Sequence, residues 1–267
     1  MKPRISASAV IWLVVGTVYF VVPLIATLLF SLQSGKNSSY SLAAYGNVLR
    51  DHTFWSTLKL SLELALETIA ISLLLLVPTV YWVHLKLPRI RPYVEFMTIL
   101  PFVVPPIILV VGLLQFYNGT FRAPLWYLEN PNYFLTSAYV ILAFPYVYRS
   151  LDAGVRAIDI HTLTEASQSL GAGWRTTMSR VILPNIRVAA LGGAFLTLAI
   201  VMGEFTIASL AAFFTFPTYI AQVNQEKIYE AAALSLVSFL ITWAAMAGLL
   251  LVGRGSGRGR ARLAGGR

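Results

Sequence analysis

Three acidic residues stand inside long apolar stretches of this sequence, where a charge is costly. Glu204 lies in the apolar run that begins at Val188, and Glu63 and Glu67 lie one helical turn apart near the start of another run. A charge near the centre of a membrane span costs about 2.5–3.5 kcal/mol on insertion scales, so such residues are candidates for function. We expect Glu204 to face a pathway or gate, with a buried structural hydrogen bond as the alternative. Glu63 and Glu67 are expected to be solvated at the interface.

Acidic residues that face a pathway suit a cationic solute. The aromatic residues Tyr146, Tyr148 and Phe205 could add cation–π contacts with the same solute. We therefore predict Glu204, Phe205 and Tyr146 as pathway residues for a cationic solute. Gly203, next to Glu204, would permit close helix packing or a local break.

No residue pattern predicts catalysis or a metal site. The chain has no cysteine, which excludes disulfides and thiolate metal sites. His52, His84 and His161 lie outside the centres of the apolar runs, and there is no G-x-S-x-G sequence. A serine-type intramembrane hydrolase, which needs serine and histidine facing one another, is therefore disfavoured.

The elements that hold these residues are predicted to be membrane helices. Hydrophobic residues make up 57% of the chain and charged residues only 12%, about half the share of a soluble domain. Runs of roughly 20 apolar residues predict an all-α, polytopic membrane protein with six transmembrane helices. The predicted spans are Val10–Leu32, Leu58–Val83, Val94–Tyr117, Tyr133–Tyr148, Val188–Ala212 and Ala231–Val252. The third contains Pro101, Pro105 and Pro106, which neighbouring helices can accommodate or which could break it.

The distribution of basic residues predicts the orientation. With the amino terminus inside, 15 of the 20 Lys and Arg residues fall in cytoplasmic segments, which is the side where such residues accumulate. Both termini are therefore expected in the cytoplasm. Residues 1–253 are expected to form one transmembrane domain. Residues 254–267 form a basic, Gly/Arg-rich tail, which we interpret as an anchor near anionic lipid headgroups rather than a nucleic-acid-binding segment.

The long loop between the fourth and fifth spans is predicted to fold as a helix–turn–helix. Thr162 and Glu165 fit a capping box that begins a helix over Leu163–Leu170, and Gly171 is placed to end it. A second helix fits Trp174–Ile182, with Pro184 expected to stop it.

The second helix carries one apolar stripe, formed by Trp174, Met178, Val181 and Ile182. That stripe either packs on the ends of the protein's own spans or forms a docking surface for a cytoplasmic partner. The residues alone leave both open.

One motif in this loop is specific. It contains Glu165-Ala166-Ser167, Gly171 after three residues, Val181 after nine more, and then Leu183-Pro184 after one. This segment resembles the EAA loop of the permease subunits of binding-protein-dependent ABC importers, whose pattern has Ala and Ile at the positions of Ser167 and Val181. Both departures are conservative.

The resemblance implies a mechanism and a set of partners. In such importers the loop, here about residues 155–185, is held by a cytoplasmic ATPase dimer that binds ATP and Mg²⁺ and switches the pathway between its two openings. The resemblance assigns coupling to Glu165, Ala166, Gly171, Trp174, Met178 and Pro184. This chain has no G-x-x-x-x-G-K-S/T phosphate loop, so it is expected to be a non-catalytic subunit without a cofactor of its own.

The same resemblance implies a second permease subunit, an external solute-binding protein and a prokaryotic inner-membrane location. A secondary transporter would need no such loop. The stretch Gly203–Ser209 resembles the spermidine/putrescine-type branch, which makes a polyamine the leading cargo. Ferric iron, thiamine, an aminophosphonate or another small solute are the alternatives within that branch.

Overall fold

The protein is built almost entirely from helices, as the sequence predicts. The computed structural model describes residues 7–34, 39–120 and 124–255, so the tail from position 256 onward lies outside the described residues. The described residues also contain two short antiparallel strands of two residues each, β1 (Gln33–Ser34) and β2 (Ser39–Tyr40), in which Gln33 lies opposite Tyr40. The helices are α1 (Ala7–Ser31), α2 (Ala43–Arg50), α3 (His52–Leu85), α4 (Arg91–Val103), α5 (Pro106–Gln115), α6 (Leu125–Glu129), α7 (Pro131–Arg156), α8 (Ile160–Ser169), α9 (Trp174–Thr176), α10 (Leu183–Gly203), α11 (Thr206–Leu210), α12 (Phe216–Glu226) and α13 (Ile228–Gly255).

Four stretches of helix in the described residues are long and apolar enough to cross a membrane. They are Val10–Ser31, His52–Leu85, Trp174–Gly203 and Ile228–Gly248, and a bent pair formed by α4 and α5 would make a fifth. Helix α7 is also long enough, but it carries Arg149, Asp152 and Arg156 within its last eight residues. Many of its residues are buried by other helices, so it needs less apolar surface than a helix facing lipid. The count of six spans and the positions of the termini remain predictions.

The third predicted span is broken rather than continuous. Helix α4 ends at Val103, and α5 starts at Pro106 with its axis turned by 104°. Val104 is extended (φ −81°, ψ 117°), as expected for a residue that precedes a proline, and Pro105 has no N–H to continue the helical ladder. Pro101, in contrast, is accommodated inside α4.

Residue contacts divide the chain into two compact units. The first comprises Met1–Ser56 and Tyr219–Ile241, and the second Thr57–Thr218 and Thr242–Arg267. In the first unit the Tyr219 hydroxyl donates to Asp51 at 2.6 Å, and Asn47 donates to Glu230 at 3.3 Å. The Tyr219 hydrogen bond is the main cause of a lowered pKa for the Asp51 carboxyl. The apolar side chains of α1 are largely exposed, as expected for a helix that faces lipid.

Close packing of α7 against α10 dominates the second unit. A Cβ atom at Gly154 would collide with Ala189, and one at Gly193 would lie 3.3 Å from the Val147 backbone. The Ser150 hydroxyl donates to the Ala189 carbonyl at 2.6 Å across the same interface. Small residues therefore let the two backbones approach closely, as in other membrane helix pairs.

The main hydrophobic cluster of the second unit joins one end of α3 and α7 to the loop. Its buried members include Tyr81, Leu151, Ile160, Ile182 and Ile186, which come from α3, α7, α8, the turn before α10, and α10. The helix–turn–helix therefore packs directly against the ends of the spans.

Candidate functional site

Helix α8 begins three residues earlier than the capping box predicted. The side chain of Asp159 accepts hydrogen bonds from the Thr162 N–H at 3.1 Å and from the Thr162 hydroxyl at 2.7 Å. Asp159 is therefore the N-cap, and the assignment of Thr162 as the cap was wrong. The hydrogen bonds from Thr162 also lower the pKa of Asp159. Aspartate is a strong N-cap residue, so the earlier cap and its longer helix are favoured.

The turn after α8 has the geometry that the glycine predicts. Gly171 has a φ of +80°, in the left-handed region. Its N–H donates to the Gln168 carbonyl at 2.8 Å, and the Ala172 N–H donates to the Ser167 carbonyl at 3.0 Å. These two bonds form a Schellman motif and satisfy carbonyls that the end of the helix would otherwise leave free.

Pro184 does not stop the second helix, contrary to the prediction. The chain runs from α9 through a π-helical turn, Thr177–Ile182, directly into α10. Pro184 lies in the first turn of α10, where a missing N–H and a fixed φ are tolerated. The wider π turn before it continues the chain without a break, so α9, the π turn and α10 make one 30-residue stretch, Trp174–Gly203.

The inner side of the loop is fixed by apolar packing and by buried hydroxyls. Ile182 is fully buried, and Met178 and Val181 are partly buried against the same cluster. The Ser167 and Thr177 hydroxyls lie 2.7 Å apart, and the Tyr81 hydroxyl lies 3.4 Å from that of Thr164. Most of the apolar stripe therefore packs on the protein's own spans and does not form a docking surface for a partner.

The outer side of the loop presents a different set of residues, which we call the α8 face: Glu165, Ala166, Ser169 and Leu170. All four are exposed, and Leu170 is 89% exposed. Trp174 is 41% exposed and stacks on Trp82 with the ring centroids 6.1 Å apart. Leu170 was not singled out from the sequence, although an apolar residue immediately before a helix-ending glycine is a usable signal.

A network of charged side chains joins the carboxyl ends of α3 and α7 to the amino end of α4. Asp152, nearly buried, contacts Arg91 at 3.1 Å and Arg156 at 2.7 Å, and both arginines also contact Glu95, at 3.0 and 3.1 Å. His84 Nε2 lies 3.0 Å from an Asp152 oxygen, although off the direction of a hydrogen bond. The sequence did not predict this network, because its members come from three separate helices.

A second helix break lies at Glu204. Helix α10 ends at Gly203, so the fifth predicted span does not continue to Ala212, and the local break considered at Gly203 is present. The Glu204 carboxylate accepts hydrogen bonds from the N–H groups of Ile207 at 3.0 Å and Ala208 at 3.3 Å, which lie in the first turn of α11. The Tyr139 hydroxyl is a further donor. Glu204 is only 9% exposed, so the acid is held by protein rather than by lipid.

The other predicted pathway residues do not all lie together. Phe205 is 44% exposed beside Glu204, whereas Tyr146 packs edge-on against Phe102 of α4 with the centroids 5.0 Å apart. Glu63 lies on the surface of α3 and contacts Lys59 at 3.6 Å. Glu67 turns inward, and its carboxylate accepts hydrogen bonds from Asn132 at 3.0 Å and Thr136 at 2.9 Å. Interfacial solvation thus describes Glu63 but not Glu67.

No metal site accompanies these residues in the described part of the chain. Across residues 7–34, 39–120 and 124–255 there is no group of three or more His, Asp or Glu side chains arranged to hold a metal ion. The arrangement consists instead of an exposed helix face at one end of the bundle and two broken helices within it. Unwound backbone within membrane helices is typical of transport pathways.

Similar proteins agree with that architecture. Residues 88–256 match the family described as binding-protein-dependent transport system inner membrane component. The putrescine transport system permease protein PotI of Escherichia coli (strain K12) is 25% identical over 212 residues, covering 78% of this chain and 75% of PotI. The spermidine/putrescine transport system permease protein PotB of Salmonella typhimurium (strain SL1344) is 30% identical over 183 residues, covering 64% of this chain and 63% of PotB.

Solved structures share the fold. A chain of a bacterial ABC transporter involved in the import of the acidic polysaccharide alginate superimposes with a TM-score of 0.68 at 15% identity, covering 92% of this chain and 94% of that chain. A chain of the alginate transporter in complex with an alginate pentasaccharide-bound periplasmic protein gives a TM-score of 0.64 at 14% identity, covering 92% and 91%. With the family match, the helix breaks and the EAA-type loop together, this chain belongs to the binding-protein-dependent inner membrane components and is a multi-pass permease subunit of an ABC importer.

Proposed function

We propose that the α8 face docks into a cytoplasmic ATPase dimer and couples ATP hydrolysis to opening of the pathway. The observation that carries the proposal is Leu170, a large apolar side chain 89% exposed at the end of a firmly capped helix. An apolar anchor next to the charged Glu165 suits a protein partner with an apolar pocket and a basic rim. Trp174 extends the exposed apolar area, and Met178 packs against the buried cluster that holds the loop.

The covalent continuity of the loop with α10 gives the docking face a route into the membrane domain. Ile160 and Ile182 fix α8 and the π turn to the core, and Pro184 lies where the π turn passes into α10. A displacement of α8 would therefore move α10 as well as the loop. The far end of α10 is the break at Glu204, so movement at the ATPase would reach the break.

The remaining parts of the importer follow from this role. A second permease subunit, identical or similar, would complete the pathway, of which this chain forms half. A solute-binding protein would deliver the cargo from the outside; the alginate transporter is likewise in complex with an alginate pentasaccharide-bound periplasmic protein. Glu204, Phe205 and Tyr146 are the proposed pathway residues of this half.

The docking proposal is tested by charging the α8 face. Leu170→Asp should weaken binding of the ATPase about 30-fold or more, because a buried anchor at an interface contributes at least about 2 kcal/mol. Glu165→Lys should act in the same direction. The measurement is co-purification of the ATPase with the permease, followed by ATP-driven uptake.

Leu87→Asp is the matched control. Leu87 is also a leucine on the surface, 47% exposed. It lies two residues after the end of α3 and outside the loop that contains α8. It should leave ATPase binding near the wild-type level. Equal ATPase recovery with Leu170→Asp and Leu87→Asp would contradict docking through the α8 face.

We propose a polyamine as the cargo. The similarity to PotI and PotB supports this choice, and so do two acidic side chains, Glu67 and Glu204, that have only neutral hydrogen-bond partners among the described residues. The assembled importer should take up labelled putrescine or spermidine in an ATP-dependent manner. Uptake of thiamine, an aminophosphonate or ferric iron, with no polyamine uptake, would assign a different cargo.

A further inference from the structure

Two acidic side chains of the second unit are both attached to a single turn of α7. Glu67, on α3, is held by Thr136, and Glu204, at the end of α10, is held by Tyr139. Residues three apart on a helix are neighbours, with their Cβ atoms about 5–6 Å apart. The two carboxylates therefore approach the same short stretch of α7 from different helices.

Helix lengths place both acids at a similar depth. About 27 Å of α3 separates Glu67 from the end of that helix at Leu85, and α10 rises about 30 Å from Leu183 to Gly203. Both distances are close to the thickness of the hydrocarbon core, about 30 Å. The pair thus lies toward the membrane face opposite the α8 face.

Neither carboxylate is neutralised by a cation. The ion pairs among the described residues involve Glu63 with Lys59, or the network around Asp152, and neither Glu67 nor Glu204 takes part. Their donors are an amide, two hydroxyls and backbone N–H groups, all uncharged. Two anions held only by neutral groups leave negative charge that a cationic ligand can compensate.

The surroundings offer further contacts to an organic cation. The hydroxyls of Thr68 and Ser72, on the same part of α3, are fully buried and have no hydrogen-bond partner within the described part of the chain. Next to Asn132 and Thr136 on α7 lies a cluster of aromatic rings, in which Tyr133 is stacked on Tyr127 with the centroids 5.9 Å apart. Tyr133 is 49% exposed, and an aromatic face attracts ammonium groups.

We propose that Glu67 and Glu204 form a paired-carboxylate site that binds the two ammonium groups of a linear diamine. The site assigns a role to Glu67, whose position on α3 had suggested only interfacial solvation. A compound with one amine would satisfy only one carboxylate, so the pair selects for two charges on one chain. The proposal deepens the proposed polyamine cargo and rests on it for the biological ligand, but binding can be tested without transport.

The test compares 1,4-diaminobutane with n-butylamine, which has the same carbon chain and one amine. The purified importer complex, free of solute-binding protein, is titrated with each compound at constant ionic strength while its thermal stability is recorded. Wild type should be stabilised by the diamine at lower concentration than by the monoamine. Glu67→Gln and Glu204→Gln should each weaken diamine binding about ten- to hundredfold, the usual effect of losing a hydrogen bond to a charged group.

Glu63→Gln is the matched control, since it removes an acid one turn away on the same helix that is exposed and pairs with Lys59. It should change diamine binding less than about twofold, as is usual for an exposed ion pair. The proposal is overturned if the diamine does not stabilise wild type, or if the Gln variants lower the basal melting temperature but keep the wild-type preference for the diamine. Failure of ATP-driven polyamine uptake, with diamine binding intact, would instead count against the proposed cargo alone.

Discussion

Single residues in the loop show how local chemistry sets the docking surface. Ser167, which stands where the family pattern has alanine, uses its hydroxyl to bind Thr177 at 2.7 Å and so ties α8 to the π turn. Gly171 turns the chain at φ +80°, where a side chain is disfavoured. Leu170, immediately before it, is therefore held outward at the tip of the loop.

Replacing Gly171 with alanine tests the importance of that turn. A left-handed conformation costs a residue with a Cβ atom about 1–2 kcal/mol, so Gly171→Ala should loosen the turn and reduce ATPase co-purification. Gly173→Ala is the control, because Gly173 also has open space around it but has a φ of −76°. The same loss of ATPase with both variants would mean that the left-handed turn is not the cause.

Glu204 also has a structural task that can be separated from its charge. Its carboxylate caps α11 through Ile207 and Ala208. Glu204→Leu leaves those buried N–H groups without an acceptor and should destabilise the protein by about 1–3 kcal/mol. Glu204→Gln retains one acceptor oxygen and should melt closer to wild type. Equal melting temperatures for wild type and Glu204→Leu would rule out the capping role.

At the scale of elements, the ends of α3, α4 and α7 are joined by the charges around Asp152. Asp152 is 5% exposed and contacts two arginines and His84. The Asp152 carboxylate is buried at the centre of this network, and its charge is stable there only while its cationic partners are in place, since a buried charge without partners is costly. Because α4 is the first half of the broken third span, this network anchors that half beside the loop.

Asp152→Asn is the prediction at this scale. It should destabilise the protein by about 1–3 kcal/mol, because the buried side chain at position 152 loses its charge-assisted hydrogen bonds, whereas the partly exposed Arg91 and Arg156 keep Glu95 as a partner. The melting temperature should fall by a few degrees. Glu95→Gln, which alters a more exposed member of the same network, should have a smaller effect. A melting temperature for Asp152→Asn equal to that of wild type would contradict the anchoring role.

A structural feature could be predicted from the sequence where one short pattern determines it, and could not where it depends on how neighbouring elements are placed. The apolar runs predicted most of the long helices, and Gly171 and the EAA-type spacing identified the loop. Pro184 was misread because a proline in a first helical turn looks the same in sequence as one that ends a helix. The inward turn of Glu67 could not be predicted, since it depends on Asn132 and Thr136 being placed beside α3 by the tertiary fold.

At the scale of the whole molecule, we expect the chain to cross the membrane six times. Four helices of the described residues qualify by length and composition, and the bent α4–α5 pair would make a fifth span. Helix α7, which is long enough but carries charges near its end, would make a sixth. The distribution of basic residues favours six, with both termini inside. The α8 face would then lie in the cytoplasm, where an ATPase can reach it.

Reporter fusions test this topology directly. Fusions should alternate between outside and inside, beginning outside, at positions after Ser34, His84, Asn130, Arg156, Gln225 and Gly253. The reporter is an enzyme that is active on only one side of the membrane. A carboxyl terminus on the outside would contradict six spans and would separate the basic tail from the cytoplasm.

Docking of the α8 face on an ATPase is the central claim, and the absence of native cysteines allows a direct measurement. Leu170→Cys is reacted with a water-soluble maleimide in inside-out vesicles, with and without the ATPase, and Leu87→Cys serves as the control. We predict rapid labelling at position 170 without the ATPase and protection when it is bound, because the core of an interface excludes water. Labelling at position 87 should not change. Equally rapid labelling of Leu170→Cys in the assembled importer would contradict the account.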